Sequence, residues 1–154
     1  MTSTQTTPRI TLTRRGTVRL IATRQAECVS EPGPKLAGPE CAGRVLIQLI
    51  GGEDREHFVA LHLDASHRIV AADTVSVGTL NGTQAHPREV FRAAILANAL
   101  AIICGHNHPS GDLEPSREDR MVSEKLQEAG KLLGIPVLDF LVVSRNGFRS
   151  LLSD

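Results

Sequence analysis

The order of hydrophobic periodicities along this 154-residue chain predicts an α/β fold, a mixed β-sheet flanked by helices. Three observations carry that expectation. Apolar residues recur at helical spacing in three separate segments; short apolar or alternating runs of strand length lie between them; and Gly, Pro or Asn-Gly signals punctuate the junctions. With 41% hydrophobic residues, a chain of this length can bury one core without disulfide staples.

The elements follow in order. Residues 9–13 and 17–23 alternate well enough for two short strands, and residues 30–39, with three Pro and two Gly, read as a linker. The boundary belongs there, with residues 1–35 an N-terminal extension and linker and residues 36–154 the folded domain. From Pro39, residues Ala42, Val45, Leu46, Leu49 and Ile50 fall on one helical face, and Gly51-Gly52 stops that helix. Residues 56–63 and 69–77 read as two strands of a hairpin turning at 64–68. Pro87 opens a second helix running to about residue 99, with Val90, Phe91, Ala94, Ile95 and Ala97 on its buried side; His86 is the neighbour of that helix start.

Residues 100–104 are wholly apolar, as expected of a buried strand that delivers His106 from its C-terminal end. The longest helix is predicted over residues 116–133. Met121, Val122, Lys125, Leu126, Ala129, Leu132 and Leu133 mark one side of it, the lysine by its stem, and Gly134 then Pro136 close it. Residues 137–143 form another buried strand, Asn146-Gly147 signals a hairpin turn, and residues 148–152 return as a last strand.

Composition narrows the function. Seventeen basic against 17 acidic residues leave no global positive field, and four Phe are the only aromatic residues, so neither phosphate attraction nor base stacking argues for a direct nucleic-acid ligand. Arg9, Arg14, Arg15, Arg19 and Arg24 form a local basic cluster, read as the solvated face of an arm. No apolar run approaches membrane-spanning length and no signal core opens the chain, which makes a cytoplasmic enzyme without a membrane partner the expectation. Cys28, Cys41 and Cys104 are widely spaced and odd in number, as suits reduced thiols; Cys104 reads as a small buried core residue.

The chemistry concentrates between His106 and Asp119. His106 and His108, two apart on an extended backbone, present their imidazoles on one face and can share a metal ion. Pro115, as the first residue of the following helix, would set Ser116 and Asp119 one turn apart, with the Asp119 carboxylate favoured by the helix dipole. Three ligands of nitrogen and oxygen type leave a fourth position open, the arrangement of a catalytic zinc. Ser116 is no usual zinc ligand, but its hydroxyl could donate to an oxyanion.

The spacing His106-x-His108, seven residues, Ser116, two residues, Asp119 resembles the JAMM motif of the JAB/MPN metalloproteases. The intervening Asn107, Pro109, Ser110, Gly111, Asp112 and Pro115 resemble the RadC-like branch. So do the stretch from His86 to Phe91, the Gly78-Thr79-Leu80-Asn81 segment and the Leu138-Asp139 pair. The resemblance runs from about residue 36 to the end and implies a JAB/MPN, cytidine-deaminase-like architecture. RadC-like proteins commonly carry an N-terminal helix-hairpin-helix region, for which the 35 or so residues ahead of the domain here are too few. The family also usually has a His where this chain has Phe140.

The resemblance implies a zinc metallopeptidase, with one Zn2+ per chain, acting on a peptide or isopeptide bond of a peptide or protein substrate through a zinc-activated water. A Glu would serve as general base, upstream of the histidines. Glu53, Glu56 and Glu89 are the candidates, and Glu56 is chosen because it directly precedes the strand at residues 58–63. Two other classes stand beside this reading: a non-catalytic MPN-type scaffold, against which the intact ligands argue, and a DNA-repair-associated module, against which the neutral charge argues. The substrate and the oligomeric state are not set by the sequence.

Overall fold

Strict alternation of side-chain direction divides the core of this protein into two halves, one on each face of a central sheet. The computed structural model describes residues 10–12, 18–20, 33–78 and 85–152. Strands β1 (Ile10–Leu12) and β2 (Val18–Leu20) pair antiparallel. The remainder runs α1 (Pro39–Ile50), β3 (His57–Leu63), β4 (Ile69–Val77), α2 (Pro87–Leu96), β5 (Ala101–Asn107), α3 (Arg117–Leu133), β6 (Val137–Ser144) and β7 (Gly147–Ser150). Five strands form one mixed sheet in the order β4-β3-β5-β6-β7, in which only the β5–β6 pair is parallel. The α/β architecture is the one expected.

Odd-numbered residues Val59, Leu61 and Leu63 of β3 and Ala101 and Ile103 of β5 pack with Leu141 and Val143 against α1. Their even-numbered neighbours Phe58, Ala60, Ile102 and Cys104 pack with Phe140 against α2 and α3. Gly105 is required by close approach: a Cβ there would lie 2.5 Å from a Leu46 methyl carbon. Among the described residues no helix is long and apolar enough to cross a membrane.

Several boundaries differ from the sequence expectation. The segment expected as a linker is fastened to the sheet from Gly33 on: Gly33 N–H donates to Ile69 O at 2.9 Å, Leu36 N–H to His67 O at 2.9 Å, and Leu36 is buried. Helix α2 stops at Leu96, where Asn98 adopts a left-handed φ of 53°, and Ile95 is 58% exposed rather than buried. Strand β5 extends through Asn107, because pairing with Val142 and Val143 continues past the apolar run. The last strand ends at Ser150.

The largest correction concerns α3. Its buried residues are Asp119, Ser123, Leu126 and Gly130, while Leu132 is 88% exposed and Met121, Leu133 and Lys125 are also exposed. Polar and small residues form the inward stripe because this helix carries a site and crosses Ile135 closely at Gly130. Arg9, Arg14, Arg15, Arg24, Cys28 and the 79–84 segment lie outside the described residues.

Candidate metal centre

The parallel ladder with β6 holds β5 extended to its last residue, and His108 N–H continues the pairing by donating to Val143 O at 2.9 Å. His106 and His108 therefore leave the same face, and their Nε2 atoms come within 2.9 Å of each other. Helix α3 brings the third group. Asp119 Oδ1 lies 3.1 Å from His106 Nε2, and Oδ2 lies 3.5 Å from His108 Nε2. His106 and Asp119 are buried, and His108 keeps 14% of its side chain exposed.

The helix start aims the carboxylate. Pro115 precedes the helix rather than opening it, and Ser116 is the N-cap: its Oγ accepts Asp119 N–H at 3.0 Å, and Asp119 Oδ2 accepts Ser116 N–H at 2.7 Å. A hydroxyl that accepts in this way retains its own proton to donate. The loop between the histidines and the helix turns at Gly111, whose φ of 87° favours glycine. That turn returns Asp112 O to within 2.7 Å of His108 Nδ1. A carbonyl oxygen can only accept, so His108 carries a proton on Nδ1, which leaves Nε2, on the side of Asp119 and His106, as the nitrogen that can bind a metal once it is unprotonated.

Electrostatics match this geometry. Burial alone would raise the Asp119 carboxyl, but hydrogen bonds from His106 and His108 outweigh it and hold the group well below the usual carboxylate range. His108 is raised by its hydrogen bond to Asp119; burial opposes that, and the Asp112 carbonyl and the charges of Asp119 and Glu56 add to it. Glu56 is thus felt at His108. It sits one residue before β3, just beyond the end of the antiparallel ladder at Phe58↔His106.

The other two acids are engaged elsewhere. Glu89 pairs with Arg92 at 3.0 Å on α2, and the exposed Glu53 lies 4.0 Å from His57 Nε2. His86 caps α2, its Nδ1 accepting Arg88 N–H at 3.1 Å.

Sequence reading found the three donors but not their surroundings. His106 lies face-parallel to Phe58 at 6.4 Å and meets Phe140 edge-on at 5.6 Å. Its Nδ1 has no hydrogen-bond partner among the described residues. Strand parity could have foretold Phe58 as a neighbour of His106; a main-chain oxygen such as that of Asp112 leaves no sequence signal.

Four-coordinate zinc bound at about 2.0–2.2 Å needs ligand atoms separated by about 3.3–3.5 Å. The observed spacings of 2.9, 3.1 and 3.5 Å lie within or a few tenths of an ångström below that range, so the His-His-Asp donors need part only slightly to hold such an ion.

A mixed sheet that delivers two imidazoles from a central strand end to a helix-start carboxylate defines a protein with a potential three-ligand metal centre. Comparison with known families gives the class its name. Residues 36–154 match the RadC-like JAB domain, and the chain belongs to that family. It is 42% identical over 131 residues to a UPF0758 protein of Methanosarcina acetivorans, covering 85% of this chain and 57% of that one. It is 45% identical to a UPF0758 protein of Desulforudis audaxviator, covering 83% and 56%, and 44% identical to one of Rubrobacter xylanophilus, covering 81% and 56%. The chain thus spans somewhat over half the length of these relatives.

Proposed function

We propose that this protein is a JAMM-type zinc hydrolase that opens a peptide or isopeptide bond in a peptide or protein substrate. The observation that carries the reading is the convergence of His106 Nε2, His108 Nε2 and the Asp119 carboxylate, with the His108 tautomer set by Asp112 O. Zinc held there would polarise the scissile carbonyl and make water acidic near neutral pH. His106, His108 and Asp119 would hold the ion. Glu56 accepts the proton of the attacking water and returns it to the leaving nitrogen. Ser116 Oγ–H donates to the carbonyl oxygen as negative charge builds on it.

The test is metal analysis of the purified protein together with turnover of quenched fluorescent peptides and of lysine-ε-linked isopeptides, each as a randomised library. About one zinc per chain and cleavage lost on chelation support the proposal. Full zinc with no cleavage of either library would favour the scaffold reading. A salt-dependent gel shift with duplex DNA would favour the DNA-associated one.

A further inference from the structure

We infer that Asn107 is a positioning residue that locks the backbone on both sides of Glu56 and so ties the proposed base to the strand that carries the metal ligands. The inference rests on the reading of Glu56 as general base. Asn107 stands between the two histidines on β5, is 1% exposed, and is directed away from the donor cluster by strand parity. Its side chain reaches across to the segment entering β3. Asn107 Oδ1 accepts His57 N–H at 2.7 Å, and Nδ2 donates to Arg55 O at 2.9 Å and to Glu53 O at a longer 3.4 Å.

The two short bonds act on the two peptide groups that flank Glu56. Arg55 O belongs to the peptide plane before its Cα and His57 N–H to the plane after it, so one carboxamide fixes both φ and ψ of Glu56. Gly78 N–H adds a third restraint by donating to Glu56 O at 2.8 Å. Only an amide satisfies the arrangement. A carboxylate would turn an oxygen on the Arg55 and Glu53 carbonyls, and an apolar side chain would leave His57 N–H and Arg55 O without their partner. Because His106 and His108 flank Asn107 in sequence, the strand that presents the ligands also sets where the Glu56 side chain begins.

Asn107→Asp tests this in the full zinc-loaded chain, using the library peptide that the unaltered protein cleaves fastest. Asn107→Ser, smaller and uncharged, takes the same measurements beside it and also removes the acceptor of His57 N–H. Three readings are taken: zinc per chain, kcat and KM, and amide hydrogen exchange at His57 in the metal-free protein. Zinc stays at its full content and KM stays within about twofold, while kcat falls by about 10²-fold, the usual effect of a misplaced catalytic group. His57 N–H exchanges about tenfold faster in Asn107→Ser, whose shorter side chain takes its acceptor away, while the β5 and β6 amides do not change. Unchanged kcat in Asn107→Asp, or unchanged His57 exchange in Asn107→Ser, overturns the inference. Full activity of Glu56→Gln overturns the base reading itself; an inactive Glu56→Gln beside a fully active Asn107→Asp overturns only the positioning role.

Discussion

Phe140 closes the buried side of His106 with a ring edge, at a centroid distance of 5.6 Å, where a metal-binding imidazole ordinarily finds a hydrogen-bond acceptor for its second nitrogen. Phe58 and Phe140 also meet each other at 5.7 Å, so the imidazole is backed by an apolar wall. Packing fixes the ring plane, but nothing described there sets its tautomer. Phe140→His, which offers an acceptor from the same β6 position, is expected to tighten zinc binding by about 10- to 100-fold, the range over which such outer partners act. Competition with a chromophoric chelator measures it; equal or weaker affinity would show that packing alone holds His106 well enough.

Ser116 combines two separable contributions. Loss of its cap in Ser116→Ala should destabilise the protein by about 1 kcal/mol, and loss of its donated hydrogen bond should lower turnover by about 10²- to 10³-fold with zinc retained. Ser116→Thr keeps the hydroxyl and should restore both properties. Thermal melts and kinetics on the same samples separate them: a lower melting temperature with unchanged turnover would leave Ser116 a cap alone.

Among the acids, Glu56→Gln should keep zinc and abolish hydrolysis. Glu53→Gln and Glu89→Gln should remain active, because those carboxylates face His57 and Arg92. Asp119→Ala removes a ligand and one half of the capping box together, so it should lose most of its zinc and some of the stability of α3. Metal content after gel filtration is the check, and full occupancy in Asp119→Ala would remove that residue from the ligand set.

Zinc uptake should weaken as pH falls. The Asp119 hydrogen bond raises His108, so its protonated form persists to higher pH than that of an ordinary imidazole, and protons compete with metal for Nε2. Raising pH through that range removes the proton and favours binding. Chelator titrations between about pH 6 and pH 8.5 should therefore show affinity climbing throughout; a flat profile would mean that His108 is not a ligand.

Burial pushes the Cys104 thiol up to about 12. At pH 8 it is protonated and enclosed, so a thiol reagent should modify the half-buried Cys41 while sparing Cys104 until denaturant is added. The linked stability effect has a definite sign. Stabilisation by the neutral thiol is complete below 9.0, the ordinary value of a thiol, and is lost as pH rises towards 12. Peptide mapping after labelling reads the first part, and high-pH melts compared with Cys104→Ala read the second.

The order of elements and the three donors that come together were legible because they depend on local spacing: period two in β3 and β5, the His-x-His pair, and a helix signal placing Asp119 one turn after Ser116. Helix faces were less so. Apolar periodicity put Leu132 and Met121 inward, whereas α3 turns Asp119, Ser123 and Gly130 to the sheet, since a helix that serves a site gives polar groups the buried positions. Asn107 entered the sequence reading only as part of a family resemblance; its partners lie about 50 residues away and two of them are main-chain oxygens. Asp139 is likewise a buried acid whose setting, Ser150 Oγ–H at 2.6 Å and Phe140 N–H at 2.7 Å, appears only once β6 and β7 are paired.

The capping box makes the aiming of Asp119 a local matter, settled within one helical turn. Asp119 is aimed by Ser116 N–H as soon as the first turn of α3 forms, whereas the histidines wait for β5 to be enclosed between β3 and β6. The carboxylate is therefore oriented by local folding, and the imidazoles by long-range assembly. A metal ion that arrives after folding meets donors whose rotational freedom has already been spent, so loading should proceed without rearrangement of the helix.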